Sequence, residues 1–138
     1  MTAFFDQLRQ QTEARFQANF TALAANRIKF ENQPFTQPND NEYVALWIRD
    51  GEGGNVALGN SLLRRHPGVV IVQVFALAEK GTKLARDHAD TIAAIFRNVQ
   101  ISITGGVIRF REPRGIPVGE GNGWWQLNVE CPFQLDIT

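Results

Sequence analysis

Apolar side chains near the start of the chain recur every three to four positions, which is the spacing of a helix with one buried side. The stripe consists of Phe5, Leu8, Thr12, Phe16, Phe20 and Leu23. Thr2 can cap the start of this helix and Asn26 can end it. The pattern predicts a helix over residues 3–25.

The next third of the chain alternates between apolar and polar residues, as half-buried strands do. Val44 and Leu46 point to one side of such a strand, and Tyr43 and Trp47 to the other. A later run is apolar on both sides and predicts a strand in the middle of a sheet. The predicted strands are 27–31, 43–50, a weaker one over 56–63, and 69–77, with a loop at 32–41 and a turn at 51–55.

A second helix is predicted from Lys80 or Thr82 to Arg97, because apolar residues again return at helical spacing. Its buried stripe consists of Ala85, Ala89, Ile92 and Phe96. On the polar side, Lys83 precedes Asp87 by four residues and Arg86 precedes Asp90 by four, which favours ion pairs along the helix.

The last third predicts strands separated by a long loop. Residues 100–110 indicate one interrupted strand or two short ones, broken at Gly105-Gly106. Glycines and prolines over 111–123 predict a loop. Strict alternation over 124–133 then predicts a final strand with one apolar face.

The order helix, strands, helix, strands predicts an α+β fold, with an antiparallel or mixed β-sheet and two helices packed on one face. No linker or repeat divides the sequence, so we expect residues 1–138 to form a single domain.

Composition narrows the functional classes. Fourteen basic and fourteen acidic side chains give a formal net charge of zero, whereas a dedicated nucleic-acid binder carries a basic excess. No apolar run approaches the roughly 20 residues of a membrane span. We therefore expect neither membrane insertion nor sequence-specific DNA recognition.

A search for catalytic chemistry finds only isolated groups. His66 and His88 lack metal-ligand spacing, and Ser61 and Ser102 lie outside a Gly-x-Ser-x-Gly elbow. Cys131 falls on the apolar side of the last strand, where a thiol is inert. His88 is expected to be half-exposed on its helix. We expect no catalytic residues, no metal and no cofactor.

Two features suggest contact with other proteins. Tyr43, Trp47 and Trp124 point away from the predicted core, and Arg64-Arg65 is the densest basic patch; Tyr, Trp and Arg are common interface anchors. The alternative for the aromatic residues is a second core, covered by loops. The long loop carries apolar Ile116 and Val118, and indicates either a mobile hairpin tip or an assembly element.

Ten short segments occur in an order and spacing that match a known group of proteins over nearly the whole chain. They are Arg27-Ile28-x-Phe30-Glu31-Asn32-x-Pro34-Phe35, Leu58-Gly59, Arg64-Arg65-x-Pro67-Gly68, Val72-Gln73-Val74-Phe75, Ala89-Asp90, Ile95-Phe96-Arg97, Val118-Gly119, Trp124-Trp125-Gln126, Asn128-Val129 and Pro132-Phe133. This pattern resembles the lambda-type tail-terminator proteins of bacteriophages and prophages.

The resemblance implies a structural protein of the virion tail, assembled in the cytoplasm of the bacterial host. Its copies would form a ring, with six subunits expected, that stops growth of the tail tube and offers a surface to the head-tail connector protein. DNA would pass through the ring without sequence recognition.

Within this expectation, the loop is assigned to the tube and the aromatic and basic residues to the neighbouring subunit. The tube-docking residues would be Arg114, Gly115, Ile116, Pro117, Val118 and Gly119, ordered only on docking. The subunit contact would use Tyr43, Trp47, Arg64, Arg65 and Trp124.

Three other interpretations stay open. The chain could be a small ligand- or peptide-binding module that uses Tyr43 and Trp47. It could also be another head-tail or minor tail subunit. An enzyme would require Asp87, His88 and Asp90 to converge in a pocket.

Overall fold

The computed structural model describes residues 4–39, 41–55 and 63–138. Within these ranges the chain forms two α-helices, one short 3-10 turn (Ala25–Arg27) and eight strands. The helices are α1 (Phe4–Asn19) and α2 (Lys83–Phe96). The strands are β1 (Ile28–Phe30), β2 (Tyr43–Asp50), β3 (Gly54–Asn55), β4 (Arg64–Leu77), β5 (Gln100–Ile103), β6 (Gly106–Phe110), β7 (Arg114–Gly121) and β8 (Trp124–Ile137).

The strands form one mixed sheet in the order β1-β2-β4-β8-β6-β5, with β3 paired to β4 and β7 paired to β8. Only the β1–β2 pair is parallel among the described strand pairs. This architecture confirms the predicted α+β class with a mixed sheet.

Two long antiparallel strands form the centre of the sheet. β4 and β8 have 14 residues each and pair over their whole length, from Arg64 opposite Ile137 to Leu77 opposite Trp124. At about 3.3 Å per residue, each strand extends roughly 45 Å. β7 and β6 share the far edge of β8, with β7 on its first half and β6 on its last half.

Both helices pack against one face of this sheet and enclose the core. Phe16 of α1 stacks between Phe20 and Phe96, with ring centroids 5.0 and 6.3 Å apart. Beneath them, alternate residues of the central strands are fully buried, among them Val70 and Val72. The apolar stripes of the helices therefore pack against the inward-facing alternate residues of the strands and form one apolar layer with them.

The first helix is shorter than predicted. It ends at Asn19 rather than near residue 25, and the Asn19 side chain donates to the Arg15 carbonyl at 2.8 Å. Such a bond from Asn competes with continuation of the helix. Leu23 lies after the end of the helix but is still buried. It is apolar because it packs in the core, and it does not continue the helix.

The predicted loop over 111–123 is wrong, because β7 occupies most of it and pairs with β8. The predicted strand at 69–77 extends back to Arg64, and the last strand runs to Ile137 rather than to residue 133. The interrupted segment at 100–110 is two strands joined by a tight turn, where Gly105 has φ +83°. The weaker strand predicted over 56–63 falls almost wholly outside the described residues.

Candidate assembly surface

The face of the sheet opposite the helices carries the side chains of interest, and we call it the helix-free face. Strand register places alternate residues of β2, β4, β6 and β8 on it. Its members include Tyr43, Trp47, Arg49, Arg65, Val69, Ile71, Gln73, Phe75, Arg109, Trp124, Gln126, Glu130, Gln134 and Asp136. Apolar and charged side chains are thus mixed on one broad surface.

An aromatic group occupies one end of this face. The Tyr43 ring stacks on Phe75 at 4.5 Å between centroids, meets Trp124 edge-on at 5.1 Å, and contacts Phe35 of the preceding loop at 5.5 Å. The rings of Tyr43, Phe75 and Trp124 line a concavity of about 350 Å³, together with Val118 and Glu120 of β7. The arrangement brings Tyr43 and Trp124 together.

Tyr43 is not the exposed residue that the alternation suggested. Only 7% of its surface is accessible, and burial raises the pKa of its hydroxyl. Its neighbours Phe75 and Phe35 cover it from the strand and the loop. At this end of the face, the alternative of a second small core covered by a loop is therefore correct.

Trp47 lies nearer the middle of the same face and is only half-buried. Its indole Nε1 donates to Gln73 at 2.7 Å, and the Lys29 ammonium lies 5.4 Å from the ring centroid. The hydrogen bond satisfies the one donor of the indole and fixes the ring on the sheet. The remaining accessible surface of this ring is mainly apolar.

The opposite end of the helix-free face is built around a buried carboxylate. Asp136 is 2% exposed and accepts hydrogen bonds from Arg65, at 2.7 Å, and from Arg109. Burial opposes ionisation of Asp136, but the two guanidinium groups outweigh it and hold the pKa of the carboxyl below its usual value. Alongside, Arg111 donates to Gln134 at 2.8 Å.

Sequence reasoning missed this cluster apart from Arg65. Asp136 lies beyond the predicted end of the last strand, and Arg109 comes from the segment whose strand count was left open. The signal was the continued alternation of Leu135 and Ile137 after Phe133, which extends the strand and places residue 136 opposite Arg65.

Arg64 lies on the opposite face of the sheet from the other residues predicted for the subunit contact. Its guanidinium lies 5.8 Å from the centroid of the Phe4 ring of α1. Adjacent residues on a strand point to opposite faces, so Arg64 belongs to the helix side while Arg65 belongs to the helix-free face.

The segment predicted to be a docking loop is the outer strand of a hairpin. Arg114 pairs with Glu130 of β8 at 3.0 Å, and the register shifts by one residue between Pro117 and Gly119. Gly119 at this bulge has φ +111°, and Val118 beside it is 57% exposed. Ile116 is half-buried, so Val118 is the apolar side chain that the hairpin presents.

His88, Asp87 and Cys131, which were considered for catalysis, lie apart from this surface. His88 was expected to be half-exposed, but only 6% of its surface is accessible, against Phe20, and burial lowers its pKa. Its exposed neighbour Asp87 pairs instead with Lys83 at 2.7 Å. Cys131 is buried in the core, which raises the pKa of its thiol to about 12. Ser61 lies outside the described residues.

Across residues 4–39, 41–55 and 63–138, no group of three or more potential metal ligands converges. In the same ranges, neither helix is long and apolar enough to cross a membrane. What the surface offers is therefore aromatic, aliphatic and guanidinium groups, which suit contact with another protein.

These features define a small α+β protein whose distinctive surface is a broad sheet face suited to assembly. A family model for phage tail terminator proteins matches residues 7–133, and the chain belongs to this family. It is therefore a structural protein of the phage tail, and its family implies association with other tail components. The resemblance noted in the sequence is confirmed.

A solved structure supports the fold. It superposes with a TM-score of 0.70, is 22% identical in sequence, and the match covers 96% of this chain and 94% of the other. At that identity the likeness shows the fold alone. A search of curated proteins found no significant match.

Proposed function

We propose that this chain terminates the phage tail by forming a ring, expected to contain six copies, on the head-proximal end of the tail tube. The observation that carries the proposal is the family match over residues 7–133. A supporting observation is the helix-free face, where aromatic rings and arginines lie on a surface that neither helix covers. A subunit of a closed ring needs such a surface for its neighbour.

The helix-free face and the hairpin take different contacts in this proposal. Trp47, Arg65 and Trp124 of the helix-free face are assigned to the neighbouring subunit, and the buried Tyr43 supports the Trp124 ring. The hairpin segment from Arg114 to Gly119 is assigned to the tube, with Val118 as its exposed apolar contact. Because this segment is paired to β8, it docks as a preformed strand rather than becoming ordered on binding.

The ring also receives the head-tail connector protein and lets DNA pass through its lumen without sequence recognition. The zero formal net charge of the chain is compatible with passage, since a strongly basic channel would retain DNA. Assembly takes place in the cytoplasm of the bacterial host, before the tail joins the head.

The direct experiment is co-assembly with the major tube protein of the same phage. The tube protein is polymerised alone and with increasing amounts of this chain, and tubes are measured by electron microscopy. We expect shorter tubes with a ring on one end. Unchanged tube lengths at saturating amounts would contradict the proposal. A chain that binds the connector but not the tube would instead be a head-completion or minor tail subunit.

A further inference from the structure

The helix-free face is strongly basic although the whole chain is neutral. Strand register and hydrogen bonds place six basic side chains on it and, among the described residues of the central strands, two acidic ones. Glu120 of β7 lies beside the face, at the rim of the concavity next to the aromatic group. The basic residues are Lys29, Arg49, Arg65, Arg109, Arg111 and Arg114.

Both carboxylates on this face are already paired. Glu130 binds Arg114 at 3.0 Å, and Asp136 is shared by Arg65 and Arg109. Arg49 is exposed, and Arg111 has an uncharged partner, Gln134. The face consequently presents uncompensated guanidinium charge on Arg49 and Arg111, and Arg49 lies two residues from Trp47 on β2.

A second surface of the chain has complementary properties. It is a groove of about 420 Å³ at the β1 edge of the sheet, which we call the edge groove, and its lining includes Phe5, Arg9, Glu13, Glu31 and Asp50. Arg9 is the one basic side chain in this lining, and it is already bound by Glu13 and by Asp6. The groove is thus acidic overall.

The carboxylates of the edge groove repel one another. Burial raises the pKa of Glu13, and the neighbouring charges of Glu31 and Asp6 raise it further, against the opposing effect of Arg9. An added guanidinium group would relieve this repulsion. At the rim, the Phe5 ring is 60% exposed and offers apolar area that a partner could cover.

We infer that the helix-free face of one copy docks on the edge groove of the next copy. Arg49 and Arg111 of the face would then lie opposite the carboxylates of the groove, and Phe5 of the groove would contact the apolar residues of the face. This inference rests on the proposed ring and names the contact within it. One surface is a face of the sheet and the other is its edge, so the contact is head-to-tail, and it closes into a ring when the rotation per subunit divides the circle.

The chemistry of the face favours a protein partner over DNA. Five of its six basic residues are arginines, and one of them, Arg49, lies next to Trp47 and Val69. Interface cores are enriched in aromatic residues and Arg and depleted in Lys. Phosphate binding needs no such apolar area.

The test uses two double variants of the full chain. The face variant is Arg49→Glu with Arg111→Glu, and the groove variant is Phe5→Ser with Asp50→Lys; all four side chains are exposed. The control variant, Lys83→Glu with Arg86→Glu, makes the same charge change as the face variant, but on α2. Circular dichroism verifies folding, and native mass spectrometry gives the assembly state of each variant and of a mixture.

We expect each double variant to weaken subunit association at least about tenfold, while the control assembles like the original chain. Mixing the face and groove variants should restore pairing, with at least a dimer that neither variant forms alone, because each supplies the one surface that the other lacks.

Other outcomes are equally informative. Rings formed by both variants would overturn the inference and leave the proposed ring intact, as would two monomeric variants that fail to pair when mixed. If the face variant assembles normally but loses affinity for a fluorescent DNA duplex, the face binds DNA and the inference is wrong. An original chain that makes no ring, alone or on tube ends, contradicts the proposed function itself.

Discussion

Asp136 is a buried charge whose two partners remain in contact with water. The carboxylate is enclosed, whereas Arg65 and Arg109 are each about two-fifths exposed. Its pKa is lower in the folded chain than its ordinary value of 3.8. The contribution of Asp136 to stability is therefore complete above about pH 4 and is lost as the pH falls through the folded pKa.

Replacing Asp136 with Asn should destabilise the fold by about 1–3 kcal/mol, because two guanidinium groups lose their counter-charge while the site stays buried. Urea unfolding at pH 7 measures the change. Asp87→Asn is a matched control, since Asp87 forms an exposed pair with Lys83 and should change stability by less than about 0.5 kcal/mol. Equal effects of the two substitutions would refute a structural role for the buried carboxylate.

The buried His88 should give the folding stability a second pH dependence, at higher pH than Asp136. Burial lowers its pKa from the ordinary 6.5, against the raising effects of Glu42 and Asp87. The unfolded chain therefore binds the proton more readily than the folded chain, and stability falls as the pH drops below about 6.5. Urea unfolding should show that the free energy of unfolding decreases from pH 7.5 to pH 5.5.

The His88→Gln variant isolates this effect because Gln does not titrate. It should show a smaller decrease over the same pH range, whatever its stability at pH 7.5. The raised pKa of Glu13 acts in the opposite direction at lower pH, so the comparison stays above pH 5.5. An unchanged pH dependence in the variant would assign the effect to other groups.

Single residues were predicted only where local pattern decided their position. The core position of Cys131 followed from strand alternation and is confirmed. The burial of His88 was not predictable, because Phe20 reaches it from a segment 68 positions away in sequence. Asp136 was missed for a similar reason: its partners come from two other strands.

At the level of elements, β7 shows how pairing overrides local propensity. Glycine and proline predicted a loop there, yet the segment forms the outer strand of a hairpin with β8. Pro117 is tolerated because an edge strand leaves half of its amide groups without a strand partner. The bulge at Gly119 then displaces Val118 into solvent.

Val118→Asp tests the hairpin as the tube contact. The side chain is exposed, so folding should be unchanged, whereas a buried charge at the docked tip would weaken capping and give overlong tails in the phage that encodes the chain. Tail length is measured by electron microscopy. Adding Ile116→Asp should strengthen the defect, although its half-buried site adds a cost in stability.

Leu84→Asp is the control for this hairpin substitution. Leu84 is also an exposed apolar residue, but it lies on α2, away from the proposed tube contact. It should leave tail length normal. Tails of normal length with Val118→Asp would remove the assigned role of the hairpin.

The stacked phenylalanines join α1 to α2, and Phe16 lies between the other two rings. Phe16→Ala should lower the free energy of unfolding by about 3–5 kcal/mol, since the ring is fully buried. Thermal or urea unfolding measures the loss. Phe5→Ala, an exposed ring on the same helix, should cost less than about 1 kcal/mol. Similar losses for both would contradict the packing described.

Elements with strong periodicity were predicted well, and their ends were not. α2 and the alternating part of β8 agree with the structure because their apolar pattern is long and regular. The end of α1 was misplaced because Leu23 is buried by the core after the helix has stopped. The pairing order of the strands was not predictable, since it depends on contacts distant in sequence.

The whole molecule is two-sided, with helices on one face of the sheet and a basic, partly aromatic surface on the other. A monomer would leave Arg49 and Arg111 of this surface without an acidic partner and would leave the edge groove with an excess of carboxylates. Alternation in the sequence predicted that polar and aromatic residues share a face. The charge separation between the face and the groove became visible only when the strands were placed side by side.

Native mass spectrometry of the full-length chain over a range of concentrations tests the central claim most directly. The account predicts a closed species of about six times the 15.5 kDa subunit mass, populated alone or when tube ends are supplied. A chain that stays at the mass of one subunit under both conditions, at concentrations where the tube protein of the phage polymerises, would contradict it.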